Sequence, residues 1–374
     1  MKQYVLVAGY DYQGTGVTFK YIADNRMKQI ISENTAKDEL RFHICDFKTG
    51  EINKHVVTYP GGTKTTAVSQ TASFDAITAS HYGSVLDAAG DTKTGFKDNQ
   101  RTVMSILNIY EQVQDIGAND PGTLIELSFF SHGWMGGPVL VNSFDNRTRE
   151  VITTNPDGST SSSTVTIGGT ARDPDDMDPR GEYDFTAPTM DATRLANFQN
   201  AFHADGYIWI WGCAFPLVMH RLLTKIEKHS AYKRTGVDDA TVFSFTNLNA
   251  EEKDMLSFFS AGHFTPPTSG PVDITIEMRK FVMCVANIAS FAGAIARASN
   301  VKTYAAPLGT YSEFDQTGSR PLMNVSSKFT RHFNFYSTYL GYGFDPENRR
   351  YAEYLPTHTC TPPAPPAPAT PSGP

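Results

Sequence analysis

Two short segments constrain this chain more than any other feature. Leu124 to Gly133 (LIELSFFSHG) and Tyr207 to Cys213 (YIWIWGC) are apolar, β-type runs, and each ends on a chemically competent residue. Short continuous apolar runs of this kind, rich in β-branched and aromatic residues, read as strands buried on both faces, as in parallel sheets. At the carboxyl ends of parallel strands, functional groups from different strands meet at one edge. Neighbouring strands ending in His132 and Cys213 therefore bring an imidazole and a thiol together. A thiol with an ordinary pKa of about 8.5 is only a few per cent ionised at neutral pH, and an adjacent imidazole raises its reactivity. The pair points to a Cys–His hydrolase.

The rest of the chain supplies a frame for those two strands. Lys2 to Ala8 reads as a strand, and Phe19 to Ser32 as a helix with Phe19, Ile22, Ala23, Met27, Ile30 and Ile31 near a 3.6 period. A strand follows at Leu40 to Phe47, then a Gly/Thr/Ser-rich stretch from Gly61 to Gly83 and a helical pattern from Asn99 to Ile116. Asp191 to Ala204 and Pro216 to His229 read as helices, Ile274 to Ser299 as one long central helix, and Val301 to Tyr311 as a late strand. Alternation of strand and helix predicts an α/β fold with a mostly parallel sheet flanked by helices. A polar, turn-rich insertion at about 142–188 interrupts the pattern, with a hairpin expected around Ser163 to Ile167. Residues 1–358 are read as a single domain. From Thr361, seven prolines in fourteen residues rule out helix or sheet interior, so residues 359–374 are expected to form a Pro-rich disordered tail.

Composition narrows the partners. The 374 residues are 40% hydrophobic and 12% aromatic, enough for a substantial core, and carry a net charge of −7 with no long Lys/Arg block, which argues against nucleic acid. Cys45, Cys213, Cys284 and Cys360 form no CxxC pair, so neither a zinc ribbon nor a disulfide scaffold is expected. They read as reduced thiols, with Cys45 and Cys284 inside apolar patterns and Cys360 exposed beside the tail. The first apolar run breaks at Gly9-Tyr10-Asp11, before a signal sequence could form. Phe281 to Ala298 contains Asn287 and Arg297 and is short for a bilayer span. A cytoplasmic protein with no membrane span is expected, although secretion without a cleaved signal leaves no mark of this kind. No cofactor is called for. The acidic run Asp173, Asp175, Asp176 and Asp178 lacks the glycine and terminal glutamate of an EF-hand and reads as a solvated loop.

Ser131-His132-Gly133 after one apolar strand, and Gly212-Cys213-Ala214 after another, resemble the caspase-like cysteine peptidases, a superfamily that includes metacaspases, legumains, gingipains, separases and bacterial CHAT proteases. The resemblance covers mainly residues 120 to 230. It implies a caspase-like three-layer sandwich, Cys213 as nucleophile and His132 as proton-transfer group. The backbone N–H groups of Gly133 and Cys213 would form the oxyanion hole, and a polypeptide would be the substrate. Members work with a dyad, so no third carboxylate is implied. Trp211-Gly212-Cys213 stands where many relatives have Gln-Ala-Cys or Ser-Ala-Cys, which makes Trp211 a candidate for a differently built pocket wall. Asp11, just past the first strand, is either a pocket carboxylate favouring a basic P1 residue, as acidic groups do in metacaspases, or an exposed residue of the Gly9 to Gly16 turn.

Two rival readings remain open from sequence. One is a catalytically silent caspase-like module used for binding, or in a toxin or defence assembly, for which the tail and insertion are suited. The other is an α/β-hydrolase-type esterase, suggested by Gly133-Trp134-Met135-Gly136-Gly137, although Trp211 and Phe215 flank Cys213 where a nucleophile elbow needs small residues.

Overall fold

The computed structural model describes residues 1–86, 92–97, 102–143, 148–154, 159–166, 190–230, 232, 237–315 and 320–363. Its centre is an eight-stranded sheet. The strands are β1 (Lys2–Ala8), β2 (Leu40–Asp46), β3 (Glu51–Thr58), β4 (Thr65–Ser73), β5 (Leu124–Phe130), β6 (Phe202–Ile210), β7 (Lys302–Ala305) and β8 (Ala352–Tyr354). They stand in the order β8-β7-β6-β5-β1-β2-β3-β4. The run from β7 to β2 is parallel, while β3, β4 and β8 pair antiparallel with their neighbours. The expected α/β architecture is therefore present, with antiparallel strands added at both edges.

Burial explains why the central strands are so apolar. β1 and β5 are buried at every position but one, because helices cover both faces of a parallel sheet. Each apolar side chain removed from water there contributes about 1.5–3 kcal/mol. At the far edge, β4 (TTAVSQTAS) is almost entirely exposed. Its β-branched threonines suit an extended backbone, and apart from Val68 and two alanines its side chains are polar. This strand occupies the middle of the stretch that reads, in sequence, only as Gly/Thr/Ser-rich.

Eight helices complete the described layers: α1 (Phe19–Glu33), α2 (Ile106–Asn119), α3 (Ala192–Ala201), α4 (Leu217–Lys228), α5 (Ala250–Phe259), α6 (Ile276–Ala289), α7 (Phe291–Ser299) and α8 (Thr330–Tyr339). α1 packs on β1, β2 and β5. α3 packs on α2 and α7, and α7 reaches β7 and β8. α5 lies between α4 and α6, and α4 also touches α8.

Three expectations are corrected. The helix predicted from Ile274 to Ser299 is instead a strand (Val272–Thr275, antiparallel to Val242–Phe245) followed by α6 and α7, which meet at 66°. Ser290 makes the break: its backbone is extended and its hydroxyl accepts from Gly293 N–H at 3.3 Å, capping α7 as a new helix. α2 begins at Ile106 rather than Asn99, where Ser105 and Asn108 form a reciprocal capping box. Finally, Cys284 of α6 is joined to Cys360 by a disulfide across a separation of 76 residues, leaving Cys45 and Cys213 as the free thiols. The tail is thus tied at its second residue, by a pairing that spacing in sequence does not show.

Of the region 142–188, an antiparallel hairpin (Thr148–Thr154 with Thr160–Thr166) is present, and most of the remainder, including the acidic run, lies outside the described residues. So does the proline-rich stretch from residue 364 onward. Among the described residues, no single helix is long and apolar enough to cross a membrane.

Candidate active site

The candidate site forms where four adjacent strands end. In sheet order, β7 leads to Ser312, β6 to Cys213, β5 to His132 and β1 to Asp11. The arrangement begins with the chain leaving β5: His132–Trp134 pairs antiparallel with Gly137–Val139 through a two-residue turn, Met135-Gly136, with positive φ at both positions. That turn geometry matches the twist of the flanking strands.

The two motifs found in sequence touch through their glycines. A Cβ placed on Gly133 would lie 2.5 Å from the Cys213 carbonyl oxygen and 2.8 Å from the Cys213 nitrogen. One placed on Gly212 would lie 2.9 Å from the His132 oxygen and 3.0 Å from the Gly133 nitrogen. Both distances are below or at the limit of real contacts, so each glycine is required for the other strand's backbone to approach. The backbones of His132-Gly133 and Gly212-Cys213 are consequently held against each other.

The imidazole is oriented from its far side. His132 Nε2 lies 3.0 Å from Asp11 Oδ1, and the ring is edge-on to Tyr12 and Phe19 at centroid distances of 4.8 and 5.2 Å. Asp11 is itself held: Thr15 Oγ1 donates to Oδ1 at 3.0 Å, and the N–H groups of Gly16 and Val17 donate to Oδ2 at 2.9 and 3.2 Å. Burial works to raise the Asp11 pKa, but the hydrogen bonds from His132, Thr15 and Gly16 outweigh it, and the carboxyl stays below its usual range. A carboxylate at Nε2 makes that nitrogen the N–H donor and leaves the Nδ1 lone pair as the proton acceptor. Both oxygens of Asp11 are engaged in this way, which gives it a histidine-orienting position rather than an open pocket carboxylate.

The thiol has different neighbours. Ser312 N–H donates to Cys213 Sγ at 3.4 Å, and the Ser312 hydroxyl donates to the Gly212 carbonyl at 2.8 Å. Tyr351 anchors the same turn by donating to the Trp211 carbonyl at 2.8 Å, with its hydroxyl 3.2 Å from Ser312 Oγ. Ala214 is bracketed as well, exchanging backbone hydrogen bonds with Thr310 at 3.0 and 3.2 Å. Burial pushes the Cys213 thiol pKa up, and the Ser312 N–H draws it back in part. Among the described residues, the hydrogen bonds of Sγ run to Ser312, not to the imidazole.

Trp211 is fully buried rather than exposed on a pocket wall. It stacks on Trp209 and Phe130 at 4.2 and 5.1 Å, and its Nε1–H donates to Ser128 Oγ at 3.1 Å. Ser128 in turn bonds Glu126, a buried carboxylate that also holds Arg26 of α1 at 2.9 Å and the Tyr207 hydroxyl at 2.8 Å. Arg26 further pairs with Glu347 and lies 5.4 and 5.6 Å from the rings of Trp209 and Trp211. This network forms a buried, hydrogen-bonded floor under the Cys213 turn.

Ser312 and Tyr351 were not legible as site residues, since each reaches Cys213 or its turn from 99 or more residues away. A Ser following a late strand is the only local signal of the first. Compared with models of known families, with curated proteins and with solved structures, the chain finds no match.

Proposed function

We propose that the chain is a cysteine hydrolase, an endopeptidase of caspase-like design, acting through Cys213 and His132. The observation that carries this reading is the backbone contact between His132-Gly133 and Gly212-Cys213, with Asp11 setting the tautomer of His132 from behind. In the proposed reaction, His132 Nδ1 takes the proton from Cys213 Sγ, and the thiolate attacks the carbonyl carbon of the scissile bond. The N–H groups of Gly133 and Cys213 receive the oxyanion, a role in which losing one donor costs on the order of 10²–10³ in rate. His132 returns the proton to the leaving amine as the C–N bond breaks. Water, deprotonated by His132, then hydrolyses the thioester and restores the thiol. Asp11 acts as a positioning residue throughout, favouring the imidazolium that forms between the two proton transfers.

One feature favours a second reading. The resting thiol is bonded to Ser312 and its pKa is raised by burial, as suits a module that binds without turnover. Two measurements separate the readings. The hydrolase reading expects release of fluorescence from labelled, unfolded casein, abolished in Cys213→Ala, and faster alkylation of Cys213 than of buried Cys45 by iodoacetamide. Casein cleavage that survives in Cys213→Ala overturns the assignment of the nucleophile. No cleavage together with equally slow alkylation of both thiols supports the binding module.

A further inference from the structure

A cleft of about 590 Å³ opens directly beyond the two candidate catalytic segments. One wall is Trp134 and Met135, the residues that follow Gly133, and another is the start of α4 at Leu217, four residues past Cys213. The third is α5, which contributes Phe258, Glu251 and Asp254. The size is that of a site for one or two large side chains.

Its lining is unusual for a surface. Among the described residues only seven large hydrophobics are strongly exposed, and two of them, Leu217 at 44% and Phe258 at 56%, line this cleft. Both acidic residues are available at its rim. Glu251 meets Arg221 at 3.6 Å in a pair exposed on both sides, an arrangement worth only about 0–1 kcal/mol, and Asp254 has no ion-pair partner among the described residues. An apolar floor with two carboxylates beside it selects a large apolar group flanked by positive charge.

Resting on the hydrolase reading, we infer that this cleft is a substrate subsite, taking a large aromatic or aliphatic side chain of a polypeptide with Lys or Arg next to it. A peptide whose carbonyl sits between the N–H groups of Gly133 and Cys213 reaches this cleft when it runs past Trp134 and Leu217, which lie one and four residues beyond the two donors. Leu217 and Phe258 then cover the apolar side chain, and Glu251 and Asp254 meet the adjacent cation. The same carboxylates repel an acidic neighbour, which gives selectivity by exclusion as well as by attraction.

Binding can be measured apart from turnover. End-blocked, fluorescein-labelled Gly-Lys-Phe-Lys-Gly, Gly-Lys-Ala-Lys-Gly and Gly-Glu-Phe-Glu-Gly are titrated by anisotropy against the full chain carrying Cys213→Ala. The Lys-Phe-Lys peptide is expected to bind at least tenfold more tightly than either of the others. Phe258→Glu should remove the preference for Phe over Ala, and Glu251→Lys with Asp254→Lys should transfer the charge preference to the Glu-Phe-Glu peptide. Both changes lie on an exposed surface, and unchanged thermal unfolding will confirm that the fold is intact. Equal affinity for the three peptides, preferences unmoved by these variants, or self-association of the chain through this face would overturn the subsite. Selective binding with no hydrolysis by the native chain would instead refute the hydrolase while leaving the cleft in place. Hydrolysis without selectivity would do the reverse.

Discussion

The rim of the sheet and the polar network beneath it use the same kinds of groups and treat them oppositely. Below, the Glu126 carboxylate has Arg26, Tyr207 and Ser128, and Arg26 has a second carboxylate in Glu347 and two indole rings. Every strong charge there is compensated several times over. At the rim, Asp11 is saturated, but its partner His132 is bonded through one nitrogen, and the Cys213 thiol is held by a single backbone N–H and carbonyl of Ser312. The difference teaches which polar groups have capacity left for chemistry. A fully satisfied network resists change, whereas spare acceptor capacity is what the proposed proton transfer at the rim requires.

Four outcomes can break or sharpen that contrast. The largest belongs to His132→Ala, which should lower the rate of casein cleavage by about 10²–10⁴ while unfolding free energy moves by less than about 1 kcal/mol. Urea denaturation and single-substrate kinetics on the same sample decide it, and a large stability loss would erase the distinction between rim and floor. Arg26→Met should do the opposite, costing about 3–5 kcal/mol because Glu126 is left charged and buried without its cation. Rate per folded molecule, measured at low temperature, should stay within about twofold, since the hydrogen bonds and ion pairs of Arg26 run to Glu126, Gln29, Tyr207 and Glu347 and not to Cys213 or His132.

Gly133→Ala is the position where the two behaviours merge. The new methyl meets Cys213 backbone atoms at 2.5 and 2.8 Å, so the strands must part. Overpacking of this kind costs about 1–3 kcal/mol, and displacement of the proposed oxyanion donor is expected to lower the rate by about 10²–10³. Normal turnover in this variant would show that the glycine contact does not set the site.

The last effect touches stability alone, and only below neutral pH, and it concerns a second histidine. His43 of β2 is buried with Nε2 3.0 Å from Gln3 Oε1, and burial lowers its pKa from 6.5 to about 4, with Lys54 and Arg41 adding to the shift. Between pH 6.5 and 4 the unfolded chain binds a proton that the fold refuses, so stability is full above 6.5 and declines as pH falls through this window. The total is on the order of 3 kcal/mol. His43→Gln should flatten that part of the curve of urea midpoint against pH, and an unchanged slope would remove His43 as its source.

How much of this could be read beforehand depended on whether the cause was local. β1, β5 and the carboxyl half of β6 announce themselves because strands buried on both faces must be apolar along their whole length. The glycines beside His132 and Cys213 were visible as a motif, yet their mutual contact is a property of sheet order. Asp11 meets His132 across 121 residues and Ser312 meets Cys213 across 99, and no periodicity encodes such meetings. Ser290 shows the other limit: the apolar pattern from Ile274 to Ser299 runs on through the break, and its one local signal is Gly293, where a Cβ would lie 2.5 Å from the Asn287 carbonyl oxygen, but a lone Gly in an apolar run does not by itself announce a second helix. Cys360 likewise sits beside a proline tract that hides its bond to Cys284.

The ordering of Ser312, Cys213, His132 and Asp11 along four neighbouring strands has a consequence for the newborn chain. Synthesis delivers Asp11 first, His132 next and Cys213 third, so a nascent polypeptide carries the imidazole and the thiol before β7 exists to flank β6. Until then β6 is an unprotected edge bearing two tryptophans nearby and a thiol without its Ser312 contact, open to pairing with another chain. Residues 302–312 both pair along that edge and carry Ser312 to the sulfur, so one stretch of chain serves as cover for the strand and as seat for the thiol.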